Sequence, residues 1–160
     1  MGTEAVDASL DEDACGVPLS ELEHAAWGGF LRTHARLVRE LDEELNERHR
    51  LPLSSFDVLV QLAATPNGRL RMSQLADAVL LSRSGLTRLV GRLIDQGLIE
   101  RGGCQTDARG VYAKITDEGR RRLDEAIATH RAGIRRLFLG RLTEAQQRQL
   151  AGSWRRLQEG

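Results

Sequence analysis

Arg83, Ser84, Thr87, Arg88 and Arg92 fall within ten residues of one another. Read as a helix, this stretch turns Leu86, Leu89, Val90 and Leu93 inward. Ser84, Thr87, Arg88 and Gly91 then face away from the core, with Arg83 in the first turn and Arg92 at the flank. Such a face suits the major groove of duplex DNA, whose width accepts an α-helix. Arginine is shaped to donate two hydrogen bonds to a guanine edge, and serine or threonine can bond base or phosphate. Gly85 and Gly91 allow close backbone approach at some expense of helix stability, and the helix N-terminus offers unpaired amides to a phosphate. Further on, Gly102 to Gly110 reads as a polar loop holding Asp107 and Arg109. An arginine on such a tip can enter a narrow minor groove, where the negative potential is enhanced, with the aspartate restraining it. A lone exposed arginine is usually just solvated. The combination on one helix, followed by a hairpin, is what points to DNA.

These side chains need a scaffold. Ser20-Glu21-Leu22-Glu23 is a capping box. It predicts a long helix to about Arg48, with Leu22, Ala26, Phe30, Leu37, Val38, Leu41 and Leu45 as its apolar stripe. Gly28-Gly29 inside it suggests close approach of another backbone or a bend. After Pro52, Ser54-Ser55-Phe56-Asp57 predicts a second cap and a helix ending before Pro66-Asn67-Gly68. Ser73 caps a short helix to about Val79, Leu80-Leu81 forms a tight link, and Ser82 caps the helix from Arg83 to Gln96. Gly97 ends that helix as a left-handed cap. The hydrophobic period then changes to two, predicting strands over 98–101 and 111–116. Thr116 caps a helix to about Leu139, on which Leu123, Ile127, His130, Ile134 and Leu137 step like a coiled-coil seam. Thr143 to Gln146 is another capping box, before a helix carrying Leu150, Trp154 and Leu157.

The expected class is mainly α with a small β-hairpin (α+β): a winged helix-turn-helix lobe plus a helical dimerisation region. Four segments follow: an acidic disordered arm over 1–18, a long helix over 19–53 that the family resemblance given below makes a dimerisation helix, the DNA-binding lobe over 54–116 and dimerisation helices over 117–160. Ser73 and Ser82, which open the two helices of the turn, join Arg83, Ser84, Thr87, Arg88, Arg92, Asp107 and Arg109 as the expected DNA contacts.

The 160 residues hold 23 basic and 23 acidic side chains, a formal net charge of zero. Taken alone, zero argues against a polyanionic partner, but the charges are unevenly spread. Residues 1–23 carry seven acidic and no basic side chains, leaving 16 acidic against 23 basic in 24–160. An acidic arm on a basic body is compatible with DNA. No apolar run approaches the roughly 18 residues that span a bilayer, no signal peptide opens the chain, and Cys15 and Cys104 make no disulfide framework. The expected compartment is the cytoplasm.

Asp107-x-Arg109 followed by Thr116-Asp-Glu-Gly119 and Leu123 resembles the wing signature of the multiple-antibiotic-resistance regulator (MarR) family. Ser73-Gln-Leu-Ala76, then Leu86-Thr-Arg-Leu89-Val90 through Leu93 with Gly97-Leu-Ile-x-Arg101, are similar to its two DNA-binding helices and first wing strand. The resemblance spans roughly 20–158. It implies an obligate homodimer, built by the first and last two helices, that binds a pseudo-palindromic operator in double-stranded DNA. It also implies a repressor working at the bacterial nucleoid, and release from DNA by a small-molecule effector.

For the effector, Trp27, Phe30 and His34 on the first helix and Phe56 and Asp57 on the second are the candidate lining. Trp27 and Asp57 resemble the aromatic and acid used in the urate-responsive branch, whose arginine pattern is not matched. Trp27 and Phe56 as core residues, with Asp57 as a helix cap, is the competing account. A redox-responsive regulator would use Cys15, although its acidic surroundings raise a thiol pKa, or Cys104. A metal-responsive one would draw on His24, His34, His49 and His130, which lack close i, i+4 pairs, or on Glu23 with His24. No resident metal or cofactor is expected. No GxSxG, P-loop, HExxH or paired-cysteine motif points to an enzyme. A winged helix serving only as a protein-interaction module is the alternative from another class, and three arginines on the outward face weigh against it.

Overall fold

The computed structural model describes residues 16–79, 83–104 and 107–159. In chain order these form α1 (Glu21–His49), α2 (Leu53–Ala63), β1 (Arg69–Arg71), α3 (Met72–Ala78), α4 (Arg83–Asp95), β2 (Ile99–Cys104), β3 (Asp107–Ile115), α5 (Asp117–Leu137), a 3-10 turn (Leu139–Arg141) and α6 (Glu144–Glu159). The mainly helical winged arrangement matches expectation. Of the arm expected over 1–18, only Gly16, Val17 and Pro18 are described. The Leu80-Leu81 link and Ser82 also lie outside the described residues.

The chain divides into two compact units between Ala35 and Arg36. In the first, the capping box at the start of α1 is formed as expected: Ser20 N–H donates to Glu23 Oε2 at 2.7 Å, and Glu23 N–H to Ser20 Oγ. The Ser20 hydrogen bonds hold the Glu23 carboxyl below its ordinary pKa. Leu22, Trp27, Phe30 and Leu31 are exposed here. Among the described residues, no backbone from outside α1 lies against Gly28 or Gly29.

The second unit holds the core. Phe56, Val58, Leu59 and Leu62 of α2 pack with Leu75 of α3, Leu86, Leu89, Val90 and Leu93 of α4, and Ile99, Ala113 and Ile115 of the sheet. Leu45 and Leu51 join from the α1 side, and Leu123 and Ala126 from α5. Much of the predicted α5 seam is therefore consumed within the chain: Leu123 belongs to the core, Ile127 packs against it, His130 lies on Phe56 and Leu137 is buried.

Four local expectations change. First, α2 starts at Leu53, not after a Ser54 cap. Pro52 has no N–H to satisfy, and Leu53 N–H donates to Asp42 Oδ1 of α1 at 2.7 Å. Asp42→Ala should thus cost about 1 kcal/mol, as cap removal does, lowering the thermal midpoint by roughly 2–4 °C. Ser54→Ala should leave the melting curve in place.

Second, α3 starts at Met72, so Ser73 is its second residue and not its cap. Gln74 Oε1 accepts from Arg71 N–H instead. Third, a strand precedes it: the sheet has three strands in the order β1-β3-β2, all antiparallel. Fourth, the hairpin is longer than expected. Gly102 pairs with Tyr112, Gly103 with Val111 and Cys104 with Asp107, with a register shift between Gly103 and Cys104. Asp107 and Arg109 therefore sit on β3 rather than in an open loop.

Candidate nucleic-acid interface

Burial on α4 follows the predicted pattern. Leu86, Leu89, Val90 and Leu93 are each at most 3 % exposed. Ser84, Thr87, Arg88 and Arg92 are exposed on the opposite side. A β-carbon added at Gly91 would meet only open space. The 13 residues make a rod about 20 Å long, with no acid in its first turn. Arg83 is the first residue of α4, and Ser73 is exposed on α3. The structure thus brings Ser84, Thr87, Arg88 and Arg92 onto one face. Ser82 and the side chains of Arg83, Asp107 and Arg109 lie outside what is described.

The end of α4 is fixed by three neighbours in sequence space. Gly97 takes φ +71°, its N–H donates to Ile94 O, and Leu98 N–H reaches back to Leu93 O at 2.9 Å. This is a Schellman cap, which needs a residue free to adopt the left-handed region. Thr116 then ties three elements together. Its hydroxyl donates to Gly97 O at 2.7 Å and accepts from Gly119 N–H at 3.0 Å, and its N–H donates to Leu98 O at 3.1 Å. The Thr-Asp-Glu-Gly segment is therefore a joint between the end of α4, the wing and α5.

A second exposed cationic group was not anticipated. On the outer face of the sheet, Tyr112 lies beside two arginines: the guanidinium carbons of Arg69 and Arg71 are each 5.4 Å from its ring centroid. Arg71 Nε also donates to Tyr112 Oη at 2.9 Å. The signal was the alternation in Arg69-Leu70-Arg71, too short to read without its partner strand.

The candidate effector residues fall in different units. In the first, the rings of Trp27 and Phe30 are 5.8 Å apart and those of Phe30 and His34 6.0 Å apart. In the second, Phe56 is buried, with its ring 4.5 Å from that of His130, whose pKa burial lowers. Asp57 is surface-exposed, yet the protein packed around its carboxyl removes enough hydration to raise its pKa. His49 Nε2 pairs with Thr129 Oγ1 at 2.8 Å. Among the described residues no group of three or more His, Cys, Asp or Glu is placed to hold a metal. No helix among them is long and apolar enough to cross a membrane.

A family model described as the MarR family matches residues 51–110. The chain is 30 % identical over 133 residues to the uncharacterised HTH-type transcriptional regulator YkoM of Bacillus subtilis, covering 81 % of this chain and 83 % of that one. It is 28 % identical over 109 residues to the HTH-type transcriptional repressor MdtR of the same organism, over 68 % and 70 % of the two chains. Among solved structures it resembles Sco3205, a MarR family transcriptional regulator from Streptomyces coelicolor in complex with DNA, at a TM-score of 0.84 and 33 % identity over 90 % and 91 % of the chains. With its winged lobe, its solvent-facing α4 and these relatives, the chain belongs to the MarR family of transcriptional regulators.

Proposed function

We propose that the protein is a repressor that binds a pseudo-palindromic operator in duplex DNA as a homodimer. The observation that carries this reading is the sidedness of α4. Four buried apolar residues hold one side, while Ser84, Thr87, Arg88 and Arg92 are presented on the other. In this reading Arg88 and Ser84 read base edges in the major groove, Thr87 assists, and Arg83, Arg92, Ser73 and Ser82 contact phosphates or support the readers. Arg109 enters the minor groove and Asp107 steadies it. Sco3205 with DNA and the repressor MdtR support the assignment.

Dimerisation is supported by apolar surface that each unit leaves exposed: Trp27 and Phe30 on the first half of α1, and Trp154 and Leu157 on α6. A C2 dimer would present two α4 helices to half-sites about one DNA turn apart. The protein acts by binding rather than catalysis, at the nucleoid, with a small molecule releasing it from the operator. Selection from random duplex DNA tests the reading: an enriched inverted repeat is expected, and no enrichment overturns it. Sedimentation at micromolar concentration should show a dimer. A monomer there would contradict the two-half-site arrangement.

A further inference from the structure

Arg50, Gln96, Leu98, Glu118 and Arg122 line one cleft of about 270 Å³. Arg50 follows α1, Gln96 follows α4, Leu98 precedes β2, and Glu118 and Arg122 lie on the opening turns of α5. Arg122 is anchored, because its Nη2 donates to the carbonyl of His49, the last residue of α1. Glu118 is matched by Arg121, whose Nε donates to Oε2 at 2.8 Å and whose Nη2 donates to Oε1. Arg50 differs from both. Its side chain is exposed and makes no hydrogen bond or ion pair with any described residue. Its backbone takes φ +49°, the single positive value at a non-glycine among the described residues. That conformation closes α1: Arg50 N–H donates to Asn46 O at 2.9 Å, and Leu51 N–H reaches back to Leu45 O at 3.5 Å. Glycine is the usual residue at such a helix end, since a β-carbon is strained there. An arginine here sets a cation at the cleft against a backbone penalty, and strained residues of this kind gather at ligand sites.

From this geometry we infer that the cleft binds a short aliphatic monocarboxylate, with Arg50 as the group that takes its charge. The inference stands apart from the DNA-binding reading above. Two guanidinium groups face one carboxylate in the lining, and that carboxylate is already paired with Arg121, so the cleft carries surplus positive charge. The planar fork of arginine matches a carboxylate with two parallel N–H bonds. The exposed Gln96 carboxamide makes no side-chain bond to a described residue and can donate to the same ligand. Three features narrow the class. The volume lies just below the roughly 300–1,000 Å³ of pockets that hold drug-sized molecules. The lining has no aromatic side chain, so Leu98 and the arginine stems offer an aliphatic wall and no ring to stack on. Glu118 repels a second negative charge, which disfavours a dianion such as phosphate. A carboxylate held by Arg50 and Gln96 together would link the end of α1 to the end of α4, beside Gly97, whose carbonyl accepts the Thr116 hydroxyl.

The test uses the full chain without DNA, so its result does not depend on whether any duplex is selected. Sodium pentanoate, neutral pentanamide and inorganic phosphate are titrated at a constant ionic strength of about 0.15 M, and backbone amide shifts are followed by NMR. Pentanoate should move the amides of Arg50, Gln96, Leu98 and Arg122 saturably, with a millimolar Kd. Pentanamide should leave them in place, and phosphate should bind about tenfold more weakly or less, lacking a match to the apolar wall. Arg50→Gly should melt close to the parent, because glycine relaxes the left-handed residue, yet lose pentanoate affinity by about tenfold or more, as removal of a charge-assisted pair does. A purely structural arginine would give the reverse pattern, a lower midpoint with binding intact. Arg50→Gln decides the point if the glycine variant melts early, and it should lose pentanoate affinity likewise. Variants that bind pentanoate like the parent overturn the site. So does a pentanamide response equal to that of pentanoate, or a parent chain whose shifts gather around Trp27 and Phe30 instead. Phosphate binding as tightly as pentanoate overturns the ligand class.

Discussion

Arg88→Ala should weaken operator binding by about 1–3 kcal/mol in each half-site, the usual worth of a good bidentate base contact. In a dimer the two distant losses add, giving about 2–6 kcal/mol, or roughly 30-fold and upward in affinity. Arg88 is exposed, so the substitution should change folding stability by less than about 0.5 kcal/mol. The expected pattern is a normal melting curve, weaker operator binding and relaxed preference at one position per half-site. Competition among single-base operator variants measures the last of these. If Arg88→Ala and Arg109→Ala both bind the operator like the parent at equal salt, the reading residues have been misassigned.

Gly119→Ala should act on the fold instead. Two effects oppose each other. Alanine in a helix gains up to about 1 kcal/mol over glycine. Against that, a β-carbon here would overlap the Leu98 carbonyl oxygen and come within 2.9 Å of Ile115 Cγ1. That carbonyl is not free to retreat, because it accepts the Thr116 N–H at 3.1 Å. Overpacking against fixed backbone lies at or beyond the upper end of the usual 1–3 kcal/mol, so the clash wins. A net loss of about 2–3 kcal/mol should lower the midpoint by roughly 4–12 °C, read by circular dichroism. An unchanged midpoint would mean that the joint between wing and α5 yields easily.

The parts legible in the sequence are those whose cause is local. Ser20 with Glu23 and Thr143 with Gln146 form the reciprocal bonds that their spacing announces. Thr116 caps α5, and Gly97 takes the left-handed conformation that ends α4. The outward face of α4 was legible because four apolar residues at helical spacing fix which side is buried. What escaped has distant causes. Asp42 caps α2 from another helix, and no spacing within 53–63 reveals it. β1 is three residues long and exists because β3 offers it an edge. Gly102 and Gly103 read as loop by composition, yet cross-strand pairing carries the strand through them. The cationic pair on Tyr112 depends on that register and was illegible for the same reason.

The hydroxyl of Thr116 has a mechanical consequence. One oxygen is shared by the end of α4 and the first turn of α5, and Leu123 and Ala126 clamp the next turns of α5 to the same core. The end of α4, the base of the wing and the opening turns of α5 are thus joined through one set of contacts. Ile127 and His130, whose ring lies 4.5 Å from that of Phe56, extend this joint further along α5, so a displacement of that helix is carried to α4 and the face that presents Arg88.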